Sequence, residues 1–310
     1  MIEGAKEMDR QASGAGGEAS RPVGPLAILG PGVLGLSTAQ WAAERGLEVR
    51  LLGRDAEHAA FGRGEIERRW NASVQKGRLS AQGHAAASAR LQTAAFGPET
   101  LSGVAAFLEA VPEDPDTKVR VLAEVARWGP PDLLCLSGTS SLPITNLAKT
   151  AGLEGRLLGF HLFVPVPRMA VVEIAVPAET PKAPVQRARS LAEALGKRAV
   201  EVRDQPGFAA ARMALAQGLE AMRMVEAGVA SAEDLDTLMT LGYGHPAGPL
   251  ELSDRVGLDL RLRITEGIHH ATGDPIFCPP DLLRDMVARG ETGLRAGRGF
   301  YRWDAAGRRL

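Results

Sequence analysis

The stretch Pro25–Asp55, "PLAILGPGVLGLSTAQWAAERGLEVRLLGRD", decides how the rest of the chain is read. "PLAILG" is a short apolar run of the kind that forms a buried strand. It enters "GPGVLG", which places Gly30, Gly32 and Gly35 in the spacing G-x-G-x-x-G. The amphipathic "LSTAQWAAERG" follows, and "EVRLLG" reads as a second strand. Strand, glycine turn, helix and strand make one βαβ unit. In that context, and not by spacing alone, the turn's backbone N–H groups can face a pyrophosphate at a helix N-terminus. A dinucleotide site is the reading; a plain glycine-rich connector is the alternative. NAD-binding folds usually end the second strand with an acid that holds the ribose 2′-hydroxyl. Here Gly53 stands in that place, with Arg54 next and Asp55 one further. A missing acid beside an arginine suits a 2′-phosphate, while Asp55 is within reach of a ribose, so the cofactor is NAD or NADP.

The same alternation continues downstream. A long polar helix is expected from about Asp55 to Gly77 and a shorter one from Ala81 to Leu91. "GVAAFLEAV" then reads as a buried strand, "DTKVRVLAEVARW" as a helix and "DLLCLS" as a strand. Such alternation implies a parallel sheet. "TNLAKTAG" is a short helix, "RLLGFHLF" and "AVVEIAV" are strands, "APVQRARSLAEALG" is helical and "AVEVRD" is a last strand. From "DQPGFAAARMALAQGLEAMRMVEAGVAS" onward every segment is helical or loop-like. The expected fold is α/β, a Rossmann-type doubly wound sheet followed by an all-α C-terminal domain. Its expected divisions are a disordered tail over 1–24, a dinucleotide-binding domain over 25–205 and a helical domain over 206–310, with Pro206 at a helix start.

Composition limits the functions available. A length of 310 residues with 45% hydrophobic content suits two domains. A formal net charge of -1 gives no field to draw nucleic acid or an anionic membrane. Two cysteines, Cys135 and Cys278, are too few for a disulfide framework or a thiolate metal site, so a reducing cytoplasm and no metal are expected. No run approaches the roughly 18 apolar residues that span a bilayer, and the N-terminus shows no signal-peptide core.

Chemistry concentrates in "GFHLFVPVPRMAVVEI", Gly159–Ile174, where His161 sits in an apolar run with Glu173 twelve positions later. Removing a hydroxyl proton during hydride transfer calls for a base matched to neutral pH, for which histidine serves best. A carboxylate on its other nitrogen would fix the tautomer. A hydrogen-bonded core histidine is the alternative that spacing leaves open.

The longer pattern "SGTSSLPITNLA…GFHLFVPVPRMAVVEI" resembles the signature of the L-3-hydroxyacyl-CoA dehydrogenase family. The likeness runs from about Leu26 to Tyr301 through "FLEAVPEDPDTK", "ALGK", "PGF", "EAGVASAEDLD", "GPLELSDRVGLD" and "GRGFY". It implies oxidation of a 3-hydroxyacyl thioester to the 3-oxoacyl thioester with NAD or NADP, by a homodimer built on the helical domain; a short-chain substrate such as 3-hydroxybutyryl-CoA is expected. By matched position His161 is the base, Glu173 its partner and Ser140 the donor that holds the substrate oxygen. Glu109 and Lys118 match residues on the cofactor side, the alternative being a strand-end acid and a solvated helix lysine. Lys76 matches a lysine beside the CoA chain, and Arg295 stands where the family often has a cofactor-proximal lysine.

Three positions depart from the family's asparagines: Gly138, Val164 and Ala211. Their side chains cannot donate a hydrogen bond. At roughly 1 kcal/mol each, such losses would slow an ordinary substrate by two to four orders of magnitude unless other groups compensate. A carrier-protein thioester, a free hydroxy acid and a nucleotide-binding protein of low activity are therefore the rival readings.

Overall fold

Leu26–Leu29, buried along its whole length, is the first strand (β1) of an eight-stranded sheet. The computed structural model describes residues 24–310; the expected tail, apart from Gly24, lies outside the described residues. The strands after β1 are β2 (Val49–Gly53), β3 (Leu91–Ala95), β4 (Ala106–Glu109), β5 (Leu134–Ser137), β6 (Leu157–Leu162), β7 (Val171–Val176) and β8 (Arg198–Arg203). They lie in the order β3-β2-β1-β4-β5-β6-β7-β8. The helices between them are α1 (Val33–Glu44), α2 (Ala56–Gln75), α3 (Ala81–Arg90), α4 (Pro115–Trp128), α5 (Ile144–Ala151) and α6 (Lys182–Ala194).

Successive residues of one strand serve two cores. Leu26 and Ile28 pack with Ala39, Trp70 and Leu191 from α1, α2 and α6. Ala27 and Leu29 pack with Leu122, Val125 and Leu147 from α4 and α5. Burial on both faces is why the strands read as unbroken apolar runs and not as alternating ones.

Three expectations need correction, the first being that Pro206 lies in a turn and the helix after it starts only at Ala210. The sheet is parallel only through β6, because β7 pairs with β6 antiparallel, and β8 runs alongside β7. The connection from Phe163 to Ala170 spans too few residues for the dozen or more that a parallel crossover needs, so the chain can only fold back. Strand β3, "LQTAA", was not foreseen, and Leu91 belongs to it and not to the preceding helix. It contains one large apolar residue, too weak a pattern to register.

Beyond Arg203 the chain is helical: α7 (Ala210–Glu226), α8 (Ala232–Thr237), a π-helical turn over Leu238–Gly242, α9 (Pro249–Val256), α10 (Leu258–Thr272) and α11 (Asp281–Ala288). These helices enclose a third core around Leu219, Met222, Leu250 and Leu283. Short β-bridges among residues 293–309 close the chain. The junction between the halves is tied in several places. The Asp204 carboxylate accepts from the backbone N–H of Ile144 (2.9 Å) and Thr145 (2.6 Å), capping α5 where Pro143 cannot. Gly207 N–H donates to the Ser141 carbonyl at 3.0 Å. Phe208 adopts a left-handed φ of 49°, unusual for an aromatic residue, while its ring is buried.

Two buried carboxylates fasten the last residues to the helices. Asp254 accepts from Phe300 N–H (3.0 Å), Tyr301 N–H (2.9 Å) and Trp303 Nε1–H (2.9 Å). Burial pushes its carboxyl above the usual range despite these donors. A Cβ at position 299 would fall 2.1 Å from Asp254 Oδ1, so only glycine lets the "GRGFY" backbone approach. Asp236 accepts from Leu250 N–H, Glu251 N–H and the Tyr301 hydroxyl, capping α9 from a distance. Asp254→Ala strands one buried donor, Trp303 Nε1–H, and two part-buried ones, and at roughly 1–3 kcal/mol for a buried unsatisfied group it should cost about 2 kcal/mol or more. Urea unfolding will show this as a lowered midpoint, with Asp254→Asn, which keeps one acceptor oxygen, falling between.

Candidate active site

The glycine turn sits at the end of β1, where the strand order reverses between β2 and β4. Open α/β sheets bind ligands at such a switch point. Each glycine has its own reason. Gly30 has a φ of 109°, and a Cβ there would lie 2.5 Å from the Ala110 carbonyl oxygen. A Cβ on Gly35 would lie 1.9 Å from the Gly30 oxygen, so α1 can cross the turn only without it. Gly32 has nothing within 4 Å of its missing side chain: the space above it is open for a ligand to reach the backbone. As N-cap it supplies no side-chain cap, and α1 has no acid in its first turn, so the helix N-terminus is free to take an anion. A hollow of ≈ 750 Å³ opens there, lined by Gly30, Gly32, Arg54, His58, Phe96 and Trp128 among others. These features fit a dinucleotide.

Next to Val111, which lines that hollow, lies a polar network. Glu109 and Lys118, expected on the cofactor side, are 0% and 1% exposed and form an ion pair at 2.7 Å. Both side chains are buried and line neither hollow nor cleft surface, and the solvated-lysine alternative is overturned. Ser137 Oγ donates to Glu109 Oε2 at 2.7 Å, and Lys118 Nζ also reaches Glu113 Oε2 at 3.2 Å. Glu113 is the residue that sequence reading missed. Its Oε1 accepts from Thr139 Oγ1 (2.5 Å), Ser141 Oγ (3.1 Å) and Ser140 N–H (3.2 Å). Burial raises its pKa, but Lys118 and these hydrogen bonds outweigh that and hold the carboxyl below the ordinary range. Its signal was present as the second acid of "FLEAVPEDPDTK", four residues after Glu109.

Glu113 thereby bears on the departure at position 138. A Cβ on Gly138 would lie 2.6 Å from Leu34 Cδ2 and 3.0 Å from the Glu109 oxygen, so Leu34 fills the space an asparagine would need. The Thr139–Ser141 loop is held by Glu113 instead. Ser140 commits its N–H to that carboxylate, while its hydroxyl makes no hydrogen bond among the described residues.

His161 and Glu173 are directly opposite in the antiparallel β6–β7 register. His161 Nδ1 lies 2.9 Å from Glu173 Oε2, which leaves Nε2 free. The ring lies between Phe163 and Phe208, at centroid distances of 4.6 and 6.2 Å. Oε1 of Glu173 accepts from Ala209 N–H (2.8 Å) and Ala210 N–H (3.0 Å) at the start of α7. Burial pushes the Glu173 carboxyl up, yet the bonds from His161, Ala210 and Ala209 together bring it below its ordinary value. Ala211 follows in the same helical turn, and Val164 is 49% exposed on the loop after β6.

A second cleft, of ≈ 460 Å³, lies between the sheet half and the helical half, with Glu113, Ser141, Leu142, Pro206, Ile264 and Ile268 in its walls. Arg54, 81% exposed, pairs with Asp55 at 3.0 Å beside the first hollow. Lys76 is exposed at the C-cap of α2, about 30 Å along that 20-residue helix from Arg54. Arg295 is in the helical half, its guanidinium close to Gly257, and does not line the glycine-turn hollow. No cluster of metal-ligating side chains occurs among the described residues, and no described helix is long and apolar enough to cross a membrane.

Comparison with known proteins agrees with this geometry. The family described as "3-hydroxyacyl-CoA dehydrogenase, NAD binding domain" matches residues 25–205, and its "C-terminal domain" counterpart matches residues 207–303. A probable 3-hydroxybutyryl-CoA dehydrogenase of Bacillus subtilis is 35% identical over 279 residues, covering 90% of this chain and 97% of its own. The 3-hydroxybutyryl-CoA dehydrogenase of Mycobacterium tuberculosis is 35% identical over 278 residues, covering 89% and 97%. Among solved structures, the (S)-3-hydroxybutyryl-CoA dehydrogenase of Ralstonia eutropha superposes with a TM-score of 0.86 at 32% identity, covering 90% and 99%. With a glycine turn shaped for a nicotinamide dinucleotide, NAD(P), and both family profiles matched in order, this chain belongs to the 3-hydroxyacyl-CoA dehydrogenase family.

Proposed function

We propose that the chain interconverts 3-hydroxyacyl-CoA and 3-oxoacyl-CoA, acting on a short chain such as 3-hydroxybutyryl-CoA. The observation that carries this is the His161–Glu173 pair, fixed at 2.9 Å with Nε2 free. The bound nicotinamide supplies the acceptor for the hydride from C3. His161 Nε2 takes the hydroxyl proton, and in the reverse direction returns it. Glu173 holds the Nδ1–H tautomer and balances the imidazolium charge. Ser140, its hydroxyl uncommitted, donates to the substrate oxygen. The inter-half cleft, walled by Leu142, Ile264 and Ile268, suits a short acyl group.

Assembly is a second part of the reading. Met213 (74% exposed), Leu241 (83%) and Tyr243 (78%) leave apolar surface open on the helical half. A homodimer through this half covers it, and the unpaired Cys135 and Cys278 suit a cytoplasmic setting.

Acetoacetyl-CoA with NADH or NADPH should give a steady loss of cofactor absorbance, and no change with either would defeat the assignment. Carrier-protein-linked acetoacetate and free acetoacetate, run beside it, should turn over at least tenfold more slowly. His161→Gln should lose about a thousandfold or more in kcat, since general-base catalysis contributes roughly 10²–10⁴; near-normal turnover would remove the base. Glu173 has a lowered folded pKa, so its contribution to stability is complete above its ordinary value of 4.5 and is lost as pH falls through the folded value. The stability that the Glu173 carboxylate contributes over Glu173→Gln, measured by urea unfolding, should therefore be lost as pH falls below about 4.5. Light scattering should give a dimer mass for the native chain and a monomer mass for Leu241→Glu.

A further inference from the structure

We infer that the dinucleotide seat is built for a cofactor bearing a 2′-phosphate, and that Arg54 reads that phosphate. The inference rests on the dinucleotide-binding reading above and names which cofactor the seat takes.

The first observation is steric. An acid at the end of β2 normally accepts from the ribose 2′-hydroxyl and repels a phosphate. In this chain β2 ends at Gly53, and a Cβ there would fall 2.4 Å from Ala59 N, 2.8 Å from the Asp55 carbonyl oxygen and 2.8 Å from the His58 carbonyl carbon. Backbone atoms cannot yield as a flexible side chain would. The turn into α2 therefore excludes any side chain at the position that selects NAD.

Asp55 is a poor substitute. Its Oδ1 accepts from His58 N–H at 2.7 Å, capping α2, and its Oδ2 accepts from Arg54 Nε–H at 3.0 Å. Turning it toward a ribose would forfeit a helix cap, a cost of about 1 kcal/mol. Held where it is, it leaves the wall of the hollow to its neighbours.

Those neighbours are cationic or neutral donors on the β2 side. Arg54 commits only Nε to Asp55, so both terminal nitrogens are free for a forked hold on phosphate. Its pairing with Asp55 is a surface contact worth at most about 1 kcal/mol, which a charge-assisted fork on a phosphate exceeds. His58 lines the same hollow, and its buried Nδ1 has no hydrogen-bond partner among the described residues. Across the hollow Arg120 adds a positive charge and Glu124 a negative one, leaving Arg54 to set the sign on the ribose side. Phe96 and Trp128, with ring centroids 5.3 Å apart, supply flat apolar surface for the adenine of the same nucleotide.

The test is binding, not turnover. The full-length chain is titrated with NADPH and with NADH, following nicotinamide fluorescence. Adenosine 2′,5′-bisphosphate and 5′-AMP are compared by calorimetry, so that only the adenosine end is read. The phosphorylated member of each pair should bind at least tenfold tighter. Arg54→Gln should collapse that preference to within about threefold, mainly by weakening NADPH, while Arg54→Lys should restore part of it. Because Arg54 is 81% exposed, the variants should keep the native unfolding midpoint. NADH binding as tightly as NADPH, or a preference unchanged by Arg54→Gln, overturns the inference and leaves the dehydrogenase reading standing. Binding of neither nucleotide overturns both.

Discussion

The Glu173 carboxylate is the joint on which both halves of this molecule depend. One oxygen meets His161 Nδ1, and the other accepts the first two backbone N–H groups at the start of α7. The N-cap residue of that helix, Ala209, has no side chain able to cap it. The cap comes from β7, some 36 residues earlier in the chain. Hydrogen bonds to a charged group are worth roughly 1.5–3 kcal/mol each. The group that orients the His161 imidazole is therefore also the group that seats the helical half, and neither can shift without the other.

That dual role was hidden in the sequence for a physical reason. Spacing of twelve between His161 and Glu173 becomes a contact only if the strands run antiparallel in one register, and alternation of strands and helices had pointed to a parallel sheet. The short Phe163–Ala170 connection held the correction, because chain length limits topology more firmly than pattern does. By contrast the βαβ unit at Pro25–Asp55 was plain, since its apolar runs, glycines and amphipathic helix all point one way. Strand β3 was not, because "LQTAA" owes its place to pairing with β2 and not to its own residues. Glu113 went unnoticed because its importance lies in three donors brought from another loop, which no local pattern announces.

The network of Glu109, Lys118 and Glu113 clarifies the departure at position 138 from the family's asparagines. Gly138 is complementary to Leu34, so the change at one position is matched by a side chain occupying the vacated volume. The load that an amide at 138 would have carried on the serine loop falls on Glu113, held in turn by Lys118, which is shared with Glu109. A carboxylate with several donors and an ammonium partner is a stiffer support than a single amide, because hydrogen bonds to a charged group are worth roughly 1.5–3 kcal/mol each. The loss at Gly138 thus has a visible replacement, whereas Val164 and Ala211 have none among the described contacts.

The loop that follows His161 extends the same logic. Val166 N–H donates to Ser37 Oγ on α1, the helix that begins at the glycine turn. From the other side Lys197, 5% exposed, donates to the carbonyls of Val166 (2.6 Å) and Met169 (2.8 Å) with its ammonium over the Trp41 ring. Burial, with Arg45 adding to it, holds that ammonium below the usual lysine range, so its charge is maintained against a cost and the carbonyls are what offset it. Trp41 belongs to α1 as well. The loop after His161 is therefore fixed to the helix that frames the dinucleotide turn, while Glu173 fixes the imidazole to the helical half. His161 and the glycine turn are thus mounted on one frame, and their relative distance is set by packing instead of by the motion of a loop.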